Sequence, residues 1–312
     1  MRLPSVTSLQ VGAIDQEMVA CCAPVFTAAW KTFGPNLRKL SLEGELHRIQ
    51  ELPSIQELTQ LRELRLKFMD VYYSNSLHAI NTRLCNLIQP ALKTLGPTLE
   101  SLSISFESSN VGAGYLNLSD FVDQLEPLPQ LRSLTMHIPH PKVSDPIRLK
   151  RLLHNQASTL RDVSLDLSGL SDAPSGFGEG RLVPLMTELL SDERLFTDLE
   201  SFTFSPTTSR AFDIVTSYLA RSADTLTHLT LVDQYLSEQQ VATLVGVFSG
   251  RGAHRSLRTL TLKIELFHPH LLALLASTFA GLQELSLRGL DWGVEDSIVN
   301  ERNWSWLHKL VR

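Results

Sequence analysis

Cysteine, long apolar runs and excess charge are all scarce in this sequence. Only Cys21, Cys22 and Cys85 occur among 312 residues, and so few thiols exclude a disulfide scaffold and favour a reducing compartment. No run approaches the about 18 consecutive apolar residues of a membrane-spanning helix. The first residues lead into no apolar stretch of the kind found in signal peptides. These absences predict a cytoplasmic or nuclear protein that has no membrane partner.

The charge balance is slightly acidic. Lysine and arginine total 28, aspartate and glutamate total 33, and the formal net charge is -5. Proteins that bind nucleic acids or anionic membranes usually carry a basic excess, because phosphate groups must be neutralised. The sequence therefore disfavours both a nucleic-acid partner and a polybasic membrane attachment.

A short apolar phrase, Leu-x-x-Leu-x-Leu with conservative replacements, recurs along the whole chain. The nine clear copies begin at Leu37, Leu61, Leu99, Leu131, Leu160, Leu199, Leu226, Leu257 and Leu282. Successive copies start 24 to 39 residues apart, with a weaker copy at Val6–Val11 and a truncated one at Leu307–Leu310. Repetition at such a period is typical of solenoid proteins, in which each unit packs on its neighbours.

Within each phrase the apolar residues alternate with other residues, which predicts a short strand with one buried and one solvated face. Ser103 and Ser105 of one phrase, and Thr203 and Ser205 of another, are predicted to lie on the solvated face. Leu285, in the last clear phrase, is predicted to be buried.

The connectors between the strands show a helical spacing of apolar residues. One stripe consists of Phe212, Val215 and Leu219, which recur at the interval of three to four residues expected of a helix. Ser237–Gln240 resembles a capping box, and Asp145 before a proline suits a helix start. Strands and helices in alternation give a parallel sheet with helices on its outer side.

The array resembles the leucine-rich-repeat superfamily in its long-repeat, ribonuclease-inhibitor-like form, and is most similar to the irregular repeat regions of fungal F-box proteins. The resemblance rests on the nine tandem phrases and covers nearly the whole chain. It implies an α/β fold, a horseshoe-shaped solenoid with a parallel sheet on the concave face and helices on the convex face. We therefore predict a single solenoid over residues 1–312, with about nine clear repeats and weaker terminal ones.

The sequence departs from the family pattern in two respects, and each leads to an expectation. The consensus places Asn or Cys three residues after the last apolar position of the phrase, whereas this chain has residues such as Met69, Gln234 and Glu265 there. We expect the bends to satisfy their backbone in another way and the sheet to show local bulges. Strand-like sequence begins by Val6, so no F-box segment is seen upstream, and we expect the chain to be either one portion of a longer product or a truncated gene model.

Motifs for catalysis, metal binding or cofactor binding are weak. The glycine-rich stretch Gly176–Gly180 is followed by Arg-Leu and not by the Lys-Ser/Thr pair of a phosphate-binding loop. His137 and His140 are close in sequence, as are His268 and His270, but neither pair has the four convergent ligands of a structural zinc site. No serine lies in a nucleophile elbow. We predict no catalytic residue, no bound metal and no cofactor.

The resemblance implies that the concave face and the loops at its rim bind another protein. Exposed strand residues and loop aromatics supply the candidates, because arginine and aromatic side chains are frequent anchors at interfaces. The predicted protein-binding residues are Arg65, Lys67, Tyr72, Ser103, His137, Asp166, Tyr235, Lys263, Arg288 and Trp292.

These observations predict a non-catalytic protein-interaction module. The resemblance to F-box proteins implies the substrate-recognition region of a ubiquitin ligase, with a ligase adaptor as partner only if an F-box lies outside this chain. The alternative is a cytosolic scaffold, inhibitor or GTPase regulator with no ubiquitin link. The binding step follows from the fold, while the ligase role follows from the resemblance alone.

Overall fold

A computed structural model describes residues 6–14, 16–45, 58–69, 86, 90, 92–106, 122, 128–137, 146–166, 187–188, 194–205, 209–232, 234–249 and 256–291. The chain divides into two compact units, Met1–Leu199 and Glu200–Arg312. Both units consist of parallel strands joined by connectors that include helices.

The described part of the first unit contains six strands, which pair in sequence order, each parallel to the next. The strands are β1 (Ser8–Ile14), β2 (Lys39–Glu45), β3 (Glu63–Met69), β4 (Ser101–Phe106), β5 (Ser133–His137) and β6 (Asp162–Asp166). The connectors include helix α1 (Gln16–Phe33), a 3-10 turn (Gly34–Asn36) and helix α2 (Pro146–Asn155). Helix α2 begins at the proline after Asp145, as the sequence predicts.

The described part of the second unit contains four strands, which also pair in sequence order and in parallel. The strands are β7 (Ser201–Phe204), β8 (His228–Leu231), β9 (Thr259–Leu266) and β10 (Glu284–Asp291). A helix separates each strand from the next: α3 (Ser209–Ser222), α4 (Glu238–Phe248) and α5 (Pro269–Thr278).

The apolar phrase stands in register from strand to strand. At its second apolar position, β2 to β6 pair in the order Leu40, Leu64, Leu102, Leu134 and Val163. None of these five side chains is more than 1% exposed. In the second unit, Phe202, Leu229 and Leu260 pair in the same way. This apolar ladder confirms the α/β leucine-rich-repeat fold that the sequence predicts.

Helices cover the buried side of the strands. In α3 the predicted stripe of Phe212, Val215 and Leu219 is buried, at 0 to 1% exposure. In α4 the side chains of Val241 and Leu244 are fully buried. Because full burial of such a side chain contributes roughly 1.5 to 3 kcal/mol, the helical stripes and the apolar ladder stabilise each repeat against its neighbours.

Backbone hydrogen bonds also link one repeat to the next where the strands begin. The carbonyl oxygen of Arg38 accepts the N–H groups of Arg62 and Glu63, at 2.8 and 2.9 Å. The carbonyl oxygen of Arg62 in turn accepts those of Glu100 and Ser101, at 2.8 and 2.9 Å. The same pattern recurs in the second unit, so the strand starts are tied together by main-chain bonds.

At one position the family consensus has Asn or Cys in a bend, but this chain continues its strand there and bonds through the main chain. Glu265 occupies a position where the consensus has Asn or Cys, and its N–H donates to the carbonyl of Leu236 at 3.0 Å. The carbonyl of Lys263 accepts the N–H of Leu236 at 2.9 Å. The backbone of Glu265 is thus satisfied by strand-type pairing, because this position lies in β9 and not in a bend.

Several local departures from the regular pattern occur. The register between β1 and β2 shifts between Val11 and Ile14, which confirms the expected irregularity. The predicted exposure of Ser205 is wrong, since its side chain is 0% exposed; β7 ends at Phe204, and the alternation of faces no longer applies after the strand. The phrase at Leu307–Leu310 lies outside the described residues.

The predicted burial of Leu285 is also wrong, because its side chain is 39% exposed. Leu285 lies on β10, which pairs with β9 on one side. Among the described residues, no further strand covers the other side of β10, so the last apolar rung keeps more solvent contact than those before it.

Replacing Leu102 by alanine tests the apolar ladder. Leu102 is fully buried between Leu64 and Leu134, so Leu102→Ala is expected to lower the free energy of unfolding by about 2 to 5 kcal/mol. Urea unfolding followed by circular dichroism measures the change. Ser103→Ala, one residue along and on the opposite face, is the control and should stay within about 0.5 kcal/mol. Equal effects of the two changes would contradict the register.

Replacing Ser237 by alanine tests the capping box of α4, which the structure confirms. The Ser237 hydroxyl accepts the N–H of Gln240 at 3.3 Å, and the Ser237 N–H donates to the Gln240 side chain at 3.0 Å. Loss of the cap should lower the free energy of unfolding by about 1 kcal/mol. Thermal unfolding of Thr243→Ala, an exposed change within the same helix, provides the comparison. A Ser237→Ala protein as stable as the wild type would refute the capping role.

Candidate protein-binding surface

The exposed side of the first unit's sheet is built by the side chains that alternate with the apolar ladder. This sheet face consists of Lys39, Ser41 and Glu43 on β2, Glu63, Arg65 and Lys67 on β3, Ser101, Ser103 and Ser105 on β4, Ser133, Thr135 and His137 on β5, and Asp162, Ser164 and Asp166 on β6. All of them are half-buried or exposed. Charged residues lie on β2, β3 and β6, while hydroxyl residues occupy the centre.

Ion pairs connect β2 and β3 across the sheet face. Lys39 Nζ lies 2.6 Å from Glu63 Oε1, and Lys67 Nζ lies 2.8 Å from Glu43 Oε1. Each pair joins residues that are register partners. The Lys67 and Glu43 side chains are 26% and 27% exposed, so this pair is better shielded from solvent than the first, whose side chains are 57% and 46% exposed.

Arg65 has a different environment from the two lysines. Its register partners are Ser41 on β2 and Ser103 on β4, so a hydroxyl stands on each side instead of a carboxylate. The Arg65 side chain is exposed. An exposed guanidinium flanked by serines offers its donors to an acceptor on another molecule. The structure thus brings two predicted binding residues, Arg65 and Ser103, side by side.

His137 and Asp166 form a close pair on β5 and β6. Asp166 Oδ2 lies 2.5 Å from His137 Nδ1, and the side chains are 23% and 34% exposed. Ser105 is the register partner of His137 on the other side, which gives the order Ser-His-Asp. Acyl transfer would also need N–H donors for an oxyanion, and the backbone here is engaged in the parallel sheet. The Asp166 carboxylate fixes the orientation of the His137 imidazole.

The second unit carries a smaller group of predicted residues. The Lys263 Nζ atom lies 5.8 Å from the ring centroid of Tyr235, within the range of a cation–π contact. Lys263 is the register partner of Arg288, and the Arg288 side chain is exposed. Two cations and one aromatic ring therefore share this side of β9 and β10.

The predicted binding residues have three outcomes. Arg65, Lys67, Ser103, His137 and Asp166 lie on the sheet face of the first unit, and Tyr235, Lys263 and Arg288 belong to the second unit. Tyr72 and Trp292 lie outside the described residues. The role of all ten residues in binding stays a prediction.

The structure describes only some residues of the histidine pairs and none of the glycine-rich stretch. His268 is half-buried and His270 is exposed, with His270 Nδ1 3.3 Å from Glu238 Oε1. His140 and Gly176–Gly180 lie outside the described residues. Within the described ranges, no three His, Cys, Asp or Glu side chains group as metal ligands. None of the helices described is both long and apolar enough to cross a membrane.

The sequence prediction missed one group of charged residues beside the sheet face. Arginine occupies the second position of four phrases of the first unit, immediately before the strands. These arginines are Arg38, Arg62, Arg132 and Arg161. Their common place in the phrase was a usable signal, but the prediction considered only positions between the apolar residues and in the loops.

The His137–Asp166 pair can be tested by a double-mutant cycle. Because both side chains keep some solvent contact, His137→Ala and Asp166→Ala should show a coupling of about 0.5 to 1 kcal/mol, measured by urea unfolding at low ionic strength. His137→Ala combined with Ser41→Ala, three strands away, should be additive to within about 0.5 kcal/mol. Additivity of the first pair as well would show that the contact adds no stability.

Comparisons with known proteins identified similar solved structures only. No family model and no curated protein matches the sequence. A chain of the yeast Rad7–Elc1 complex is similar over 88% of this chain and 76% of its own length, with 14% identity and a TM-score of 0.46. The leucine-rich repeat-containing protein LegL7 from Legionella pneumophila is similar over 98% and 89%, with 12% identity and a TM-score of 0.47. Neither likeness assigns a partner or an activity; the register of the apolar phrase itself establishes that the chain has the α/β leucine-rich-repeat fold.

Proposed function

We propose that this protein is a non-catalytic protein-interaction module whose sheet face, predicted to be concave, binds a partner protein. The observation that carries the proposal is the ordered sheet face. Fifteen exposed or half-buried side chains stand in register over five parallel strands. A rigid strand framework holds such side chains in fixed positions, which lowers the entropy lost on binding.

The area of the sheet face is smaller than that of a stable protein interface. Five strands about 4.8 Å apart, with five paired residues rising about 3.3 Å each, present an area of roughly 400 Å². A stable protein interface buries about 800 Å² on each partner. A partner that uses the sheet face must therefore also contact its edges, as the predicted role of the loop rim requires.

The resemblance to F-box proteins supports a finer proposal, recognition of substrates for a ubiquitin ligase. The ligase adaptor would join through an F-box outside this sequence. The small number of cysteines supports a site of action in the cytoplasm or nucleus. A scaffold, inhibitor or GTPase regulator would use the same surface without the adaptor.

Affinity capture from the native host tests the interaction. The double variant Lys67→Ala/Glu43→Ala removes one ion pair of the sheet face. Quantitative mass spectrometry should show that it captures at most about a third of the amount of partner protein captured by the full wild-type chain. The matched control removes Lys150 and Glu188, an ion pair of 2.9 Å with side chains 25% and 38% exposed that lies outside the sheet face. Equal capture by both double variants and wild type would contradict binding by the sheet face.

The same capture separates the two finer functions. A ubiquitin-ligase adaptor and a cullin among the captured proteins, together with an F-box in the full-length transcript, are the result expected of a ligase subunit. Capture that depends on the sheet face but contains neither protein would overturn the ligase role and leave a scaffold or regulator.

A further inference from the structure

We infer that the starting edge of the first unit's sheet binds an acidic segment of the partner protein, an inference that rests on the proposed interaction function. This strand-entry edge consists of the second residues of five consecutive phrases: Arg38, Arg62, Glu100, Arg132 and Arg161. Four arginines and one glutamate give the edge a net charge of +3, within a chain whose net charge is -5. The edge is a local basic site in an acidic protein.

The backbone fixes these five residues in one line. Each N–H along the edge donates to the carbonyl of the preceding edge residue, at 2.8 Å in all four steps from Arg38 to Arg161. Adjacent rungs of a sheet are about 4.8 Å apart, so the edge is about 19 Å long. An extended peptide rises about 3.3 Å per residue, and about six residues cover that length.

The charge of the edge is only partly balanced by the protein itself. Arg38 and Arg132 are exposed, and no ion pair involving either is present among the described residues. Arg62 Nη1 lies 2.9 Å from Glu100 Oε1, yet the Arg62 side chain stays 53% exposed. Glu100 thus pairs with one of the four arginines, and Arg161 Nη1 donates to the carbonyl of Leu160 at 3.0 Å. The exposed guanidinium groups of Arg38 and Arg132 can bind carboxylates, with which arginine forms paired hydrogen bonds.

The acidic residues near the edge favour a protein partner over a nucleic acid. Glu100 interrupts the arginines, and Glu63 follows Arg62 directly. A nucleic acid carries a phosphate at every step and would bring some phosphates against these carboxylates, which costs free energy. A peptide can place its carboxylates opposite the arginines and neutral residues opposite Glu100.

The second unit provides a comparison within the same molecule. The equivalent residues there are Glu200, Thr227, Arg258 and Gln283. The N–H groups of the last three each bond to the carbonyl of the preceding one, at 2.7 to 2.8 Å. The backbone geometry is the same, but one glutamate and one arginine leave no net charge. The fold therefore does not require arginine at this position, and the basic edge is particular to the first unit.

A fluorescein-labelled peptide of about eight residues, alternating Glu and Ser, tests the inference. Fluorescence anisotropy with the full chain at low ionic strength should show binding that a Gln-Ser peptide lacks. Arg38→Glu/Arg132→Glu should weaken binding at least about tenfold. Lys93→Glu/Arg151→Glu makes the same charge change at two exposed residues of the first unit outside the edge and should weaken binding less than about twofold. Glu100→Gln should strengthen it.

Any of three results with the peptides would overturn the inference. They are no binding of the Glu-Ser peptide to the wild type, equal binding of the Gln-Ser peptide, and equal weakening by both double variants. Tighter binding of an oligothymidine of equal charge would also overturn it, in favour of a nucleic acid. Thermal unfolding checks that each variant is folded, and Glu100→Gln tests the edge if a double variant is not. If capture from the host depends on the sheet face while the peptide fails to bind, the acidic partner is refuted and the interaction function remains.

Discussion

The rest of the first unit depends on one constraint, the burial of the apolar ladder formed by paired side chains on successive strands. Leu40, Leu64, Leu102, Leu134 and Val163 are paired in register and at most 1% exposed. A shift of one residue in any strand would turn its apolar side chains to solvent and its polar side chains into the core. The ladder therefore fixes the register, and the register fixes every side chain on the opposite face.

The positions of the side chains on the sheet face, the candidate binding surface, follow from that register alone. Because the strand period is two residues, the side chains between the ladder positions stand in rows across the sheet. Rows made of opposite charges form the cross-strand pairs Lys39–Glu63 and Lys67–Glu43. One row places Arg65 between two serines. The arrangement of the sheet face is therefore a consequence of core pairing, and its side chains can vary while the core stays constant.

The fold was predictable from the sequence because its signal repeats. Each phrase predicts one strand, and the stripes of α3 and the capping box of α4 appear at the predicted residues. The incorrect burial predictions lie where a strand or the series of described strands ends. Ser205 is buried because β7 ends before it, and Leu285 is exposed because β10 has strand contact on one side among the described residues.

The site was less predictable than the fold. A pattern in one strand states which residues face solvent, but not which residue of the next strand stands opposite, since connectors of different length separate them. The His137–Asp166 contact and the role of Glu43 as partner of Lys67 became visible only with the register. The arginines at the strand starts were visible in the sequence, but their alignment into one edge depends on the main-chain bonds between repeats.

Thiol footprinting of the sheet face tests the central claim most directly. Ser103→Cys lies at the centre of the sheet face, and Lys93→Cys is exposed outside it. Labelling by iodoacetamide, read at each cysteine by mass spectrometry, would be compared for the free chain and for its complex with the captured partner. The account predicts that the partner slows labelling at position 103 and leaves position 93 unchanged. Unchanged labelling at position 103 in the complex would contradict binding by the sheet face.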